Sequence, residues 1–173
     1  MLIMEYIGIK SPLRSSEKQE MVIKYKMLLN DNDQAAFNAA LADYFDDSNV
    51  STMDSFEYYV EVWNRLIQDI ENGYDDLFCE YLNDISVRGI LEVVKTSLPN
   101  ELSAKIMSIL SPMDKRFIAS TRELKSQLSS HSLEGIQQFW FQRIPKKLII
   151  VDSVNDDWHD VDWESYGIYD IKE

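Results

Sequence analysis

Carboxylates crowded among aromatic rings are the residues of this sequence with the most direct chemical meaning. The stretch 151–173, VDSVNDDWHDVDWESYGIYDIKE, holds eight Asp or Glu side chains, four Trp or Tyr rings and a single cation, Lys172. Carboxylates attract Lys and Arg side chains, whereas Trp and Tyr are enriched at the energetic hot spots of protein interfaces. The combination therefore predicts a surface that binds a basic protein.

A second acidic region lies earlier in the chain. Residues 31–84 hold fourteen acidic side chains against Arg65 alone, and with 151–173 they carry all the excess negative charge of a chain with net charge −13. Residues 1–30 and 85–150 are net positive. Such a field speeds the encounter with cationic partners and repels nucleic acid. Twelve side chains of the two acidic regions are predicted to contact the partner: Asp43, Asp46, Asp47, Asp54, Glu57, Tyr58, Asp156, Asp157, Trp158, Asp160, Asp162 and Glu164.

Motifs for catalysis and for cofactor binding are missing from the sequence. The five glycines form neither a dinucleotide-binding pattern nor a P-loop, and G-x-S-x-G does not occur. Of the two histidines, His131 lies in a Ser-rich stretch, and His159 lies among carboxylates whose spacing matches no metal motif. We therefore expect a protein that is not an enzyme and that holds no metal or cofactor.

The apolar residues predict that helices carry these side chains. Residues 54–72 place an apolar stripe at steps of three and one, which is typical of a helix that faces a core. Ser51, Thr52 or Asp54 is expected to cap its start, and Asn72-Gly73 to end it. Shorter stripes predict further helical segments at 16–29, 33–46, 74–85, 87–97, 100–110, 113–128 and 136–144.

These segments predict a mostly α protein, a single helical domain over residues 1–173 built as a bundle of six to eight helices. Pro99 and Pro112 are expected to end helices. The stretches 1–9 and 146–151 fit either a helical turn or a strand, so a short strand pair near the termini stays open. No apolar stretch is long enough to span a membrane, and the start lacks the basic residues of a signal peptide, so we expect a cytoplasmic protein.

Arginines in two basic segments allow two interpretations. The segments are SPMDKRFIASTRELK, residues 111–125, and FWFQRIP, residues 139–145. In the first interpretation Arg116 or Arg122 pairs with Asp114 or Glu123 and packs on aromatic rings. In the second, the arginines bind an anionic ligand. The pairing is favoured because carboxylates lie within helical reach of each arginine.

The role of the acidic stretch 151–173 also has two alternatives. Trp158 and Trp163 either contact the partner or anchor the stretch on the helices, and anchoring is compatible with carboxylates that face outward. The stretch then either extends the acidic surface of 31–84 or neutralises the basic stretch 85–150 internally. Only the first case adds to a binding surface.

A small, acidic, aromatic-rich chain without a catalytic motif resembles the immunity proteins of bacterial toxin systems, including those of contact-dependent growth inhibition. The segments SPMDKRF…TREL and FWFQRIP are similar to segments of uncharacterised bacterial proteins of this kind. The resemblance implies a protein that binds a cognate toxin domain, commonly a nuclease, and blocks its active site. We therefore expect a basic toxin domain as partner, with an RNase as the leading candidate, and no direct binding of nucleic acid. An acidic helical adaptor and a DNA-mimic protein, each with a basic partner that is not a toxin, are the alternatives.

Overall fold

Four long helices account for most of the residues that the computed structural model describes, which are 29–45, 55–128, 138–149 and 156–168. The helices are α1 (Asp31–Phe45), α2 (Phe56–Asn72), α3 (Phe78–Thr96) and α4 (Asn100–Ser120). They are followed by strand β1 (Thr121–Glu123), a 3-10 helix (Phe139–Gln142), strand β2 (Arg143–Pro145) and the one-turn helix α5 (Asp156–His159). The mostly helical prediction is confirmed. The predicted count of six to eight helices is too high for these residues, and the segment 16–28 lies outside them.

Helix α2 is the central element, and its apolar stripe is the clearest pattern in the sequence. Every residue of that stripe is buried, from Phe56 to Ile70. The N-cap is Ser55, one residue after Asp54, the last of the three predicted caps, and its side chain accepts a hydrogen bond from the Tyr58 N–H. It ends at Asn72 as predicted. Gly73 has a φ of 116°, which side-chain-bearing residues rarely adopt, and a Cβ there would lie 2.8 Å from the Ile149 side chain.

Two pairs of predicted helices each form one continuous helix, which explains most of the difference in helix count. The pairs are 74–85 with 87–97, and 100–110 with 113–128. Helix α3 runs through Ser86, whose hydroxyl donates to the Asn83 carbonyl. Helix α4 runs through Pro112, which was expected to end a helix. A proline inside a helix costs about 3 kcal/mol. Burial of Met113 and Phe117 in the following turn offsets that cost by about 1.5 to 3 kcal/mol for each side chain.

The two short strands lie at residues 121–123 and 143–145. Of the two stretches predicted as helical turn or strand, 1–9 lies outside the described residues and 146–151 contributes an isolated bridge from Leu148 to Tyr74. Strands β1 and β2 pair antiparallel, with Arg122 opposite Ile144. The predicted helix 113–128 therefore stops at Ser120. The Arg143 guanidinium donates to the carbonyl oxygens of Ile118 and Thr121, and thus satisfies acceptors that the end of α4 leaves without helical partners.

A buried ion pair joins the helices to one another. The Arg88 side chain on α3 is 2 % exposed and donates from Nε and Nη2 to the two carboxylate oxygens of Asp114 on α4, at 2.9 and 2.8 Å. Trp63 Nε1 on α2 donates to the same carboxylate at 3.1 Å. The guanidinium also lies 5.0 Å from the centre of the Trp140 ring. Arg88 also pairs with Glu92 one turn further along α3, at 2.9 Å. Removing Arg88 would therefore leave Asp114 without this counter-charge, and removing Asp114 would leave the buried guanidinium with Glu92 alone, which is unfavourable in both cases.

The arginines of 111–125 belong to a structural network, although with partners that helical spacing does not predict. Arg116 donates to both oxygens of Glu71 on α2, at 2.9 and 2.6 Å, and to the Asn64 side chain. The expected pairing with Asp114 does not occur, because that carboxylate is occupied by Arg88. Glu123 lies 3.8 Å from Arg143 on the neighbouring strand.

Candidate functional site: two acidic surfaces

The C-terminal residues 156–168, called the terminal segment below, are held on the helices by two tryptophans. Trp158 is 1 % exposed and Trp163 is 8 % exposed. Their rings stack with 5.7 Å between centroids and 17° between planes. The Trp158 indole N–H donates to the Asp76 carbonyl at 2.7 Å, and the Trp163 indole N–H to the Trp158 carbonyl at 2.8 Å. The prediction that Trp158 contacts a partner is therefore corrected, because its ring is an internal anchor.

The anchor fits into an aromatic socket at the start of α3. The ring centroids of Tyr74, Phe78 and Tyr81 lie 4.9 to 6.2 Å from the centroid of the Trp158 ring. Large rings at these distances gain packing energy beyond their buried area. The socket belongs to the acidic region 31–84, so the tryptophans attach the terminal segment to that region.

Asp157 completes the socket by capping α3. Leu77, at the N-cap position of α3, has no side chain that could accept a hydrogen bond. The Cys79 backbone N–H, at the second position of the helix, instead donates to Asp157 Oδ2 at 3.2 Å. A carboxylate at this end also stabilises the helix dipole. Asp157, a predicted contact residue, therefore has a structural role.

The far end of the terminal segment has a second attachment. The Lys125 backbone N–H donates to the Tyr166 carbonyl at 2.9 Å. The following residue, Gly167, has a φ of 85°, and a Cβ at this position would lie 2.6 Å from the Lys125 side chain. Glycine is required here both for the backbone conformation and for the close approach of that side chain.

The outward side of the terminal segment carries the remaining predicted carboxylates. Asp160, Asp162 and Glu164 are exposed. Among the residues that the structure describes, no basic side chain forms an ion pair with any of the three. His159, at the end of α5, is exposed beside them. Asp156 begins α5. The terminal segment therefore presents several carboxylates to solvent on a well-anchored backbone.

A second acidic surface surrounds the N-terminus of α1. Its centre is a cleft of about 510 Å³, called the acidic cleft below, that is lined by Leu29, Asn30, Asp31, Gln34 and Glu57. Neither Asp31 nor Glu57 has a hydrogen-bonding or ion-pair partner within the described part of the chain. Two carboxylates and two amides around a buried Leu29 suit a Lys or Arg side chain, because its stem is apolar and its head is cationic.

The wall of the acidic cleft is held by a neighbouring charge pair. Asn30 and Asp33 cap α1 reciprocally, since each accepts a hydrogen bond from the other's backbone N–H, at 2.9 and 3.2 Å. Lys105 on α4 donates to Asp33 at 3.0 Å, and this hydrogen bond lowers the pKa of the Asp33 carboxyl. Lys105, a cation that reaches this surface, is thus paired with Asp33.

The other predicted contact residues of 31–84 do not converge on the acidic cleft. Asp43 is exposed, but it lies twelve residues along α1 from Asp31, which is about 18 Å along the helix axis. Tyr44 beside it is 41 % exposed. Tyr58 is partly buried, with its ring against Tyr59. Three predicted contact residues lie outside the described residues: Asp46, Asp47 and Asp54.

The terminal segment and the acidic cleft lie at opposite ends of α2. Glu57 is in the first turn of the helix, whereas the socket begins just after its last residue, Asn72. Seventeen helical residues span roughly 25 Å. The predicted surface is therefore divided in two, and a single partner would need an interface of at least this length to reach both parts.

A buried carboxyl that sequence reasoning missed lies beside the socket. Asp84 on α3 is largely out of water, and its Oδ2 accepts a hydrogen bond from the Tyr74 hydroxyl at 3.4 Å. Burial, followed by the nearby Asp76 and Glu80 carboxylates, raises the pKa of Asp84 to about 7. The sequence feature that could have identified Asp84 is its position three residues after Tyr81, at the edge of the apolar stripe.

The described residues contain no group of three or more His, Cys, Asp or Glu side chains that could hold a metal ion. None of the helices among them combines the length and the hydropathy that a membrane crossing needs. A comparison of the chain with protein-family models, with curated proteins and with solved structures finds no match.

Proposed function

We propose that this chain is an immunity-type inhibitor that binds a basic toxin domain and blocks its active site. The observation that supports this proposal best is a set of carboxylates on the terminal segment that face outward and that form no ion pair with a basic side chain of the described residues. Nuclease clefts are positively charged because they bind phosphates, so a protein that inserts carboxylates there competes with the nucleic acid. A nuclease acting on RNA in the cytoplasm is the leading candidate for the target.

The internal use of charge in this chain agrees with the proposal. Lys105 and Arg116 of the basic stretch pair with Asp33 and Glu71, both in the region 31–84. The basic stretch thus neutralises part of the first acidic region and leaves the terminal segment charged. Exposed charges mainly speed association and add specificity, and salt screens them.

The contact set is narrower than the sequence predicts. We infer direct contact for Asp160, Asp162 and Glu164 on the terminal segment and for Glu57 in the acidic cleft, with Asp43 as an outlying member. Trp158 and Asp157 hold the terminal segment in position. An anchored backbone loses little conformational entropy on binding, which increases affinity without additional contacts.

The test uses the toxic C-terminal domain of an exported protein encoded beside this gene. Association is measured by surface plasmon resonance at about 50 mM and about 500 mM salt, together with nuclease activity. We expect a stoichiometric complex that abolishes activity and whose association slows at high salt. The variant Asp160→Asn/Asp162→Asn/Glu164→Gln should associate more slowly, and Glu101→Gln/Glu123→Gln is the matched control, since both carboxylates are exposed outside the two acidic surfaces.

Absence of a complex at low salt would contradict the proposal. Recovery of a basic partner that is not toxic would favour the helical adaptor, and displacement of that partner by DNA would favour the DNA mimic.

A further inference from the structure

The Asp84 carboxyl accepts a hydrogen bond from Tyr74, one of the socket rings that hold Trp158. Tyr74 donates its hydroxyl to Asp84, and its ring lies 5.4 Å from Tyr81 and 6.2 Å from Trp158, measured between centroids. Tyr81 in turn donates its hydroxyl to the Arg143 carbonyl at 2.8 Å. A change of charge on Asp84 therefore acts directly on the aromatic socket.

The surroundings of Asp84 are predominantly acidic. Asp69 on α2, Asp76 in the connection to α3, and Glu80 on α3 itself all act on it as like charges. Asp157 adds a further carboxylate from the terminal segment, where it caps α3. An ionised Asp84 would thus be repelled by three other carboxylates, Asp69, Asp76 and Glu80.

The nearest cations are engaged elsewhere. Arg143 directs its guanidinium to the Thr121 hydroxyl at 2.7 Å and to carbonyls at the end of α4. Lys147, whose carbonyl accepts the Tyr74 N–H, directs its ammonium to the Glu71 carbonyl at 3.4 Å. No basic side chain of the described residues forms an ion pair with Asp84.

We propose that the terminal segment is a proton-dependent clasp, which a protonated Asp84 holds on α3 and an ionised Asp84 loosens. The neutral carboxyl tolerates burial beside Tyr74. The carboxylate demands water and repels Asp76, whose carbonyl holds the Trp158 indole. Opening the clasp relieves the first effect, because it admits water to the socket, and the water also screens the repulsion from Asp76.

The direction of the pH dependence follows from linkage. Once the segment is released, Asp84 regains water and its pKa falls, because burial is the first cause of its raised value. The docked state therefore binds the extra proton, and the ratio of docked to released segment falls as pH rises, by no more than about tenfold for each pH unit, up to a pH near 7. Above that pH both states are ionised and the ratio becomes constant.

Hydrogen exchange of the full chain, without any partner, tests the clasp. Exchange in peptides covering 156–168 is measured by mass spectrometry from about pH 5 to about pH 8.5 and corrected for the intrinsic rates. We expect protection to fall as pH rises and to level off above neutral pH. Asp84→Asn, which mimics the protonated carboxyl, should keep its protection at every pH, while Glu101→Gln should follow the parent chain.

A second variant makes the result independent of how Asp84→Asn folds. Tyr74→Phe removes the hydroxyl that favours the ionised carboxylate, so the pH at which protection levels off should move upward. A parent chain without pH dependence would overturn the clasp, as would an equal loss of protection in Asp84→Asn or an unmoved profile in Tyr74→Phe.

The effect of the clasp on inhibition rests on the proposed function, because the clasp positions Asp160, Asp162 and Glu164. The two ideas fail separately. Loss of the pH response with toxin binding intact would overturn only the clasp, whereas a normal pH response without a toxin complex would overturn only the inhibitor.

Discussion

The four-helix part and the terminal segment contain the same kinds of residues, but they use their charges in opposite ways. In the helices, carboxylates face cations of other helices, as Asp114 faces Arg88 and Glu71 faces Arg116. In the terminal segment the tryptophan rings face inward, and Asp160, Asp162 and Glu164 face solvent. The difference teaches that acidic composition alone does not define a binding surface. What matters is whether the fold brings a cation to each carboxylate.

The largest expected effect is that of breaking a charge pair within the helices. Asp114→Ala removes the carboxylate that takes two hydrogen bonds from the buried Arg88 and one from the Trp63 indole, and leaves Arg88 with Glu92 alone. It should lower the free energy of unfolding by about 3 to 5 kcal/mol. Urea unfolding followed by circular dichroism measures the loss. Glu123→Ala, at a mostly exposed carboxylate, is the control and should cost less than about 1 kcal/mol. Similar losses for the two variants would remove the distinction between internal and external charges.

The next effect tests whether rings hold the terminal segment. Trp158→Ala should cost about 3 kcal/mol, since it empties the socket and removes the hydrogen bond to the Asp76 carbonyl. Because the ring attaches the terminal segment to α3, part of the loss should appear as local release, which hydrogen exchange of residues 156–168 would detect. Tyr44→Ala is the control at an exposed ring. A loss no larger than that of the control would contradict the anchoring role.

Asp84→Asn should have a smaller effect, and one of opposite sign. The pKa of Asp84 is about 7 in the folded chain and is expected near 3.8 in the unfolded chain. Its stabilising contribution is thus fully present below about pH 4 and is lost as pH rises through 7. At pH near 8 the variant should be about 1 to 3 kcal/mol more stable than the parent, with a flatter pH profile. Urea titrations at several pH values measure this, and a parallel profile would exclude the effect.

Gly167→Ala probes the second attachment of the terminal segment. A positive φ disfavours a side chain by about 1 to 2 kcal/mol, and the methyl group would also displace the Lys125 side chain. Thermal unfolding measures the loss. Gly167→Ala/Lys125→Ala separates the causes, because it should recover only the part that is due to crowding. Full stability of the single variant would show that the attachment contributes nothing.

The smallest change in stability is expected from the outward carboxylates. Asp160→Asn/Asp162→Asn/Glu164→Gln should shift the free energy of unfolding by less than about 0.5 kcal/mol, because all three side chains are exposed and the hydrogen bond that Asp162 accepts from the Ser165 N–H is long, at 3.4 Å. A substantial loss of stability on urea unfolding would mean that these residues belong to the fold, and the comparison between the two regions would fail.

Part of the fold follows from local sequence alone. The apolar stripe of α2 and its end at Asn72-Gly73 were predicted correctly, since a helical period and a glycine stop are properties of neighbouring residues. The N-cap was misplaced by a short distance, because Thr52, Asp54 and Ser55 are chemically equivalent candidates. Pro112 was read as a stop because a local rule contains no term for the tertiary contacts of Met113 and Phe117.

The candidate site likewise has some features that follow from local sequence and others that depend on tertiary contacts. The sequence by itself determined that Asp160, Asp162 and Glu164 lie in a charged, aromatic-rich stretch with a single cation. Only the tertiary structure decided that Trp158 faces inward and that Asp157 caps α3. The pairing of Arg88 with Asp114 and the burial of Asp84 were decided there too. The physical reason is that a charge interacts with whatever the fold places within a few ångströms, and residues far apart in sequence, such as Cys79 and Asp157, supply those neighbours.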